Sequence, residues 1–237
     1  MMNMEAPSVS IVLLGQFQPN NFLPNKLADG KVITKKTASS AFFAVLAPGQ
    51  MVQFKLDWGD VLVVETQFQI VTSEMPYIRI CDFVVKAVGG LAPESVVTAF
   101  GINVERHYDF QSIEARNKLG KQLAPPEAWG AWGKTLAAEM EEGKGGGLLN
   151  IQMRQPFHES NLTSWRDVVV APSPKNKTGV ILRANHHHQV QVLESSGDKS
   201  NENLSEDDTK SRLLTRLSEI FEKSITDSLS IFDGVVV

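Results

Sequence analysis

The chain has 237 residues, of which 42% are hydrophobic and 21% charged, proportions that exclude a low-complexity or charge-dominated polypeptide and allow a sizeable core. A formal net charge of −4 argues against a protein built chiefly to grip a long track of phosphate backbone, though a local basic patch is compatible with it. The single cysteine, Cys81, excludes an intramolecular disulfide and fits a reducing compartment.

The N-terminus has no basic region, and its apolar run stops at Gly15, so it makes a poor signal peptide. No apolar stretch approaches the roughly 18 residues of a membrane span. A cytoplasmic protein without membrane contact is expected.

In chain order, SIVLLGQF (10–17) is a branched apolar run and predicts a buried strand. NNFLPNKLADGK predicts one or two helical turns, and three or four strands follow. In the second of these, Val52, Phe54, Leu56 and Trp58 alternate with Gln53, Lys55 and Asp57, the period of a half-buried strand. Ser73 offers a helix N-cap ahead of Pro76. Tyr77, Ile80, Cys81, Val84 and Val88 then recur at helical spacing up to Gly89-Gly90.

The second half repeats the order. VVTAFGINVERHYDF predicts a strand, SIEARNKLGKQL a helix, and PPEAWGAWGKTLAAEMEE a helix weakened by Gly130 and Gly133, with Trp129, Trp132, Leu136 and Met140 on one side. LLNIQMRQPF, WRDVVVA and TGVILRANHHHQVQV predict three strands. The polar, aperiodic segment 194–205 is expected to be a mobile loop. Ser205 and Asp208 then form a capping box for a long final helix carrying Leu214, Leu217, Phe221 and Ile225.

The expected fold is α+β: duplicated β-α-β(3-4)-α units, 8–91 and 92–237, joined into one curved antiparallel sheet with helices on one face, as in TATA-binding-protein-like and helix-grip folds. A single domain is expected, with the opposite, concave face left partly open.

Two clusters invite a functional reading. Strand alternation puts Glu105, His107 and Asp109 in one row opposite Phe100, Ile102, Val104 and Tyr108, with Arg106 the exception on the apolar side. Neighbours in that row are roughly 7 Å apart, too far for three ligands of one ion. In ANHHHQVQV the same alternation puts His186 and His188 on the mostly apolar side, where they are weak metal candidates lacking a third ligand. Lys35, Lys36, Lys118 and Lys121 fall around the short helices of both halves and could meet an acidic partner or nucleic acid. No phosphate-binding glycine loop, dinucleotide fingerprint or nucleophile elbow occurs, and no cofactor is expected.

At FGINVERHYDF, LGKQLAPPEAW and the long C-terminal helix, the chain resembles a sporadically distributed family of uncharacterised bacterial proteins in which a Gly-Ile-Asn strand follows the first helix. The resemblance implies an accessory role, such as phage defence or toxin control, and no activity. The expectation is a non-enzymatic binding or regulatory subunit that docks a protein partner through the sheet or an aromatic helix face. A nucleic-acid-binding module and a metal-dependent hydrolase are the alternatives.

Overall fold

The computed structural model describes residues 2–142, 146–159, 162–190 and 205–236. The expected loop at 194–205 falls, up to residue 204, outside them. Ten strands form one antiparallel sheet in the order β3-β4-β5-β6-β2-β7-β10-β9-β8, with β1 (Asn3–Met4) pairing the end of β7. The N-terminal unit runs β2 (Ser8–Gln16), a 3₁₀ turn at Pro19–Phe22, α1 (Pro24–Asp29), α2 (Lys35–Ser39), β3 (Phe42–Ala47), β4 (Met51–Leu56), β5 (Gly59–Val64), β6 (Gln67–Thr72) and α3 (Ile78–Val84). The second unit runs β7 (Val96–Asp109), α4 (Ile113–Leu123), α5 (Gly130–Glu141), β8 (Ile151–Glu159), β9 (Leu162–Pro172), β10 (Gly179–Val190) and α6 (Glu206–Val236).

The repeated order has a spatial counterpart. β2 and β7 lie side by side at the centre, and each is flanked outward by the last strand of its own meander, β6 or β10. Across the centre Ile11 faces Ile102 and Leu13 faces Phe100, so one face of both strands is continuously apolar. α6 covers that face at β7 and β10, and α3 covers it at β2 and β6. Leu213, Leu217, Phe221 and Phe232 of α6 are fully buried against it, each worth roughly 1.5–3 kcal/mol in area removed from water. The capping box opens α6 as its sequence requires: Asp208 N–H donates to Ser205 Oγ at 3.1 Å, and the Ser205 hydroxyl donates to the Asp208 carboxylate at 2.7 Å.

Three local expectations are corrected. Ser73 caps nothing, because the preceding Thr72 takes over: its hydroxyl accepts from Glu74 N–H at 3.0 Å and donates to the Trp58 carbonyl at 2.7 Å, and α3 begins only at Ile78. Gly89 and Gly90 do not stop the helix, which continues from α3 as a π-helical segment over Val85–Leu91. A second short helix, α2, follows the turns expected at 20–31, in a stretch where no helix was expected, and is capped by Thr34, whose Oγ1 accepts from Thr37 N–H at 3.0 Å.

Candidate functional site

β7 alternates as its sequence dictates. Phe100, Ile102, Val104 and Tyr108 are buried under the helices, while Asn103, Glu105 and Asp109 are half-buried on the other face. Arg106 is tolerated on the apolar side because it sits at the rim, where its Nε donates to the Glu5 carbonyl at 3.0 Å and its guanidinium lies 5.8 Å from the Tyr108 ring. The row Glu105, His107, Asp109 divides between different partners. Glu105 Oε2 accepts from Arg183 Nε at 2.7 Å, and its other oxygen lies 3.4 Å from His107 Nε2, a closer approach than strand spacing alone suggests. Asp109 accepts from Thr178 Oγ1 and Gln111 N–H, which hold its carboxyl below the usual carboxylate range.

His107 completes a serine, histidine and glutamate line: Nδ1 lies 2.8 Å from Ser173 Oγ. Its chemistry is nonetheless structural. Ser173 Oγ also accepts from the backbone N–H groups of Lys175 and Asn176 at 3.1 and 3.2 Å, so both lone pairs are occupied and its proton faces the imidazole. A hydroxyl held in this way, with serine and histidine both buried, closes the turn before β10. It presents no attacking oxygen.

His186 and His188 follow the same pattern on the helix-covered face. His186 Nε2 bonds Ser228 Oγ of α6 at 2.9 Å, and His188 Nδ1 bonds Ser164 Oγ of β9 at 2.8 Å while its ring stacks on Phe100 at 4.8 Å. Among the described residues no three His, Cys, Asp or Glu side chains cluster to hold a metal ion.

The uncovered face is hollowed over its middle by a depression of about 580 Å³ lined by Ser8, Ser10, Asn103, Glu105, Arg183 and Asn185, among others. Arg183 in its lining and Arg154, which stands opposite the lining residue Asp167, are already matched. Arg183 is held by Glu105, and Arg154 forms a two-pronged pair with Asp167, with both N···O distances 2.7 Å. Arg154 also lies over Trp165 at 4.6 Å, and Trp165 stacks on His187 at 4.0 Å. Trp165 is therefore half-buried and closed in by its neighbours.

Trp129 and Trp132 are the exposed pair. They pack edge-to-face at 5.7 Å and 64° and remain 61% and 62% exposed. The two glycines that weaken α5 as a helix place them. Gly130 has φ +62°, which turns the chain sharply out of the 3₁₀ segment Pro126–Trp129 into α5. At Gly133 a β-carbon would fall 1.9 Å from the Pro126 carbonyl oxygen, so only glycine lets the first turn of α5 rest on that segment. Leu136 and Met140 follow at helical spacing, and with Leu148 and Leu149 they line a groove of about 230 Å³ in which Lys121 is the only charged side chain among the described residues.

A larger groove of about 800 Å³, more polar than the first, shares Lys121, Pro126 and Met140 with it and carries Glu114, Arg116, Lys118 and Glu127. Lys121 thus reaches the tryptophan site, while Lys118 lines only the adjoining groove. Lys35 and Lys36 stand on α2 and line neither groove. The part played by Leu148 and Leu149 was hidden in the sequence, where they read as the start of a strand; the structure begins β8 at Ile151.

No helix among the described residues is long and apolar enough to cross a membrane. The chain matches no protein-family model and no curated protein.

Proposed function

We propose that the protein is a non-enzymatic binding subunit that docks a protein partner in the groove between α4 and α5. The observation that carries this is the exposed Trp129–Trp132 pair, placed by the turn at Gly130 and the close approach at Gly133 over an apolar trough. Tryptophans of this kind supply the anchoring contacts of protein interfaces at little entropic cost. The occupant that fits is an apolar segment of a partner, since the described lining of the trough is apolar apart from Lys121 and Asn150. The patchily distributed bacterial proteins that the chain resembles imply an accessory role in phage defence or toxin control, and that is the setting proposed for the assembly.

A nucleic-acid reading draws less support, because Arg154 and Arg183 on the uncovered face are neutralised by Asp167 and Glu105. The test is affinity purification from the native host, identification of the bound protein, and titration of that purified protein against wild type and Trp129→Ala/Trp132→Ala. Loss of at least tenfold in affinity supports the reading. Recovery of the chain with no other protein bound under several conditions, or equal affinity for both forms, refutes it.

A further inference from the structure

The two edges of the sheet are unlike. β8 is defended: Arg154 and Pro156 stand on it, and a charge or a proline on an outer strand discourages further pairing. β3, with the sequence FFAVLA, carries neither. Phe42 is 68% and Leu46 51% exposed, and Phe43 and Val45 also stand open to solvent, so both faces of the strand present apolar surface. The strand pairs β4 on one side, and among the described residues the sheet order places no strand on its other side.

We infer that β3 is a homotypic interface, pairing antiparallel with β3 of a second copy of this chain across a two-fold axis. An open strand edge is completed by another extended strand, whose backbone supplies the missing hydrogen bonds. An uncharged apolar strand requires an uncharged apolar partner, and β3 itself meets that requirement with no like charges brought face to face.

The parity of the strand agrees. A two-fold pair sets opposite residues on the same face of the joined sheet. In a regular strand Phe42 and Ala47, five residues apart, would point to opposite faces. The irregularity between Phe43 and Val45 inserts one residue, so Phe42 and Ala47 both take the uncovered face, opposite Lys55 and Met51 of β4, while Phe43 and Leu46 both take the covered face, opposite Phe54 and Val52. Pairing Phe42 with Ala47 and Phe43 with Leu46 then sets a large side chain against a smaller one at both positions.

A strip one strand wide falls short of the roughly 800 Å² per partner of a standard interface, so association belongs in the micromolar range. The experiment is sedimentation equilibrium of the full chain over roughly 1–200 μM, with Val45→Lys at the centre of β3 and Met153→Lys on β8 as a control, each variant checked for native circular dichroism. The expected result is a monomer–dimer equilibrium that Val45→Lys weakens at least tenfold and Met153→Lys leaves unchanged. Monomer across the whole range overturns the inference. So do mass growth beyond dimer, which marks head-to-tail pairing of β3 with β8, dimerisation of Val45→Lys at wild-type strength, and equal weakening by Met153→Lys.

Discussion

His186 Nε2 donates to Ser228 Oγ at 2.9 Å, and the Ser228 hydroxyl is itself committed to the Ser224 carbonyl at 2.7 Å. The serine can only accept from the ring, so the imidazole carries its hydrogen on Nε2. Burial first, and then the charge of Arg166 and the neighbouring His188, push the His186 pKa down from 6.5 to about 4, and Asp227 opposes them only in part. In the unfolded chain the imidazole regains its ordinary value and binds a proton that the folded state refuses. The stability associated with a neutral His186 is therefore present above pH 6.5 and is lost as pH falls from 6.5 to about 4. A depression of that size corresponds to about 3 kcal/mol. Urea unfolding at pH 7.5, 5.5 and 4.5 should show this slope, and His186→Gln, which can still donate to Ser228, should flatten it.

Removing the acceptor tests the same seam without titration. Ser228→Ala leaves a fully buried ring N–H facing a methyl group, and the expected cost is about 1–3 kcal/mol at pH 7.5. The urea midpoint should fall while the slope of the transition stays unchanged.

Gly133→Ala should act on the groove rather than on the sheet. A β-carbon 1.9 Å from a backbone oxygen has no side-chain rotation to relieve it, so the Pro126–Trp129 segment must lift off α5. The edge-to-face contact of Trp129 with Trp132 should be lost, seen as loss of near-ultraviolet ellipticity and a shift in tryptophan emission. Far-ultraviolet ellipticity should change little, because the sheet and α6 do not contribute to this packing.

The element order and the helix-covered face were legible in the sequence for a simple reason: period-two and period-3.6 patterns report burial, and burial decides which face meets the core. This placed Phe100, Ile102, Val104 and Tyr108 under the helices and His186 and His188 beside them. Who bonds whom was not legible. The pairs His107–Ser173 and His186–Ser228 span 66 and 42 residues of chain, and spacing along one strand carries no trace of a partner on another. Gly130 and Gly133 read as weak helix, because propensity measures the cost of glycine and is silent on the carbonyl that a β-carbon would strike. For the same reason the FFAVLA run of β3 could not reveal that it lies at an exposed edge.

Cys81 should be inert in the folded protein. Burial among apolar side chains pushes its thiol up to about 11, which outweighs the hydrogen bond with Ser218, so almost no thiolate exists at pH 8. An aromatic disulfide reagent at pH 8 should leave the native thiol unmodified over the time in which it titrates one thiol per chain in denaturant. Rapid native reaction would place Cys81 in an opening segment of the α3–α6 contact.

Trp129→Ala and Trp132→Ala separate a docking role from core filling. Each indole is about three-fifths exposed and packs mainly on the other, so truncation removes little apolar area from the folded state. Each variant should lie within about 1 kcal/mol of wild type in urea unfolding, near the range of ordinary surface substitutions. A buried tryptophan would cost about 3–5 kcal/mol. A loss of that size would mean that the indoles support the α4–α5 pair itself. Near-neutral stability together with lost partner binding would leave recognition as the reason two large aromatic rings are held out in water.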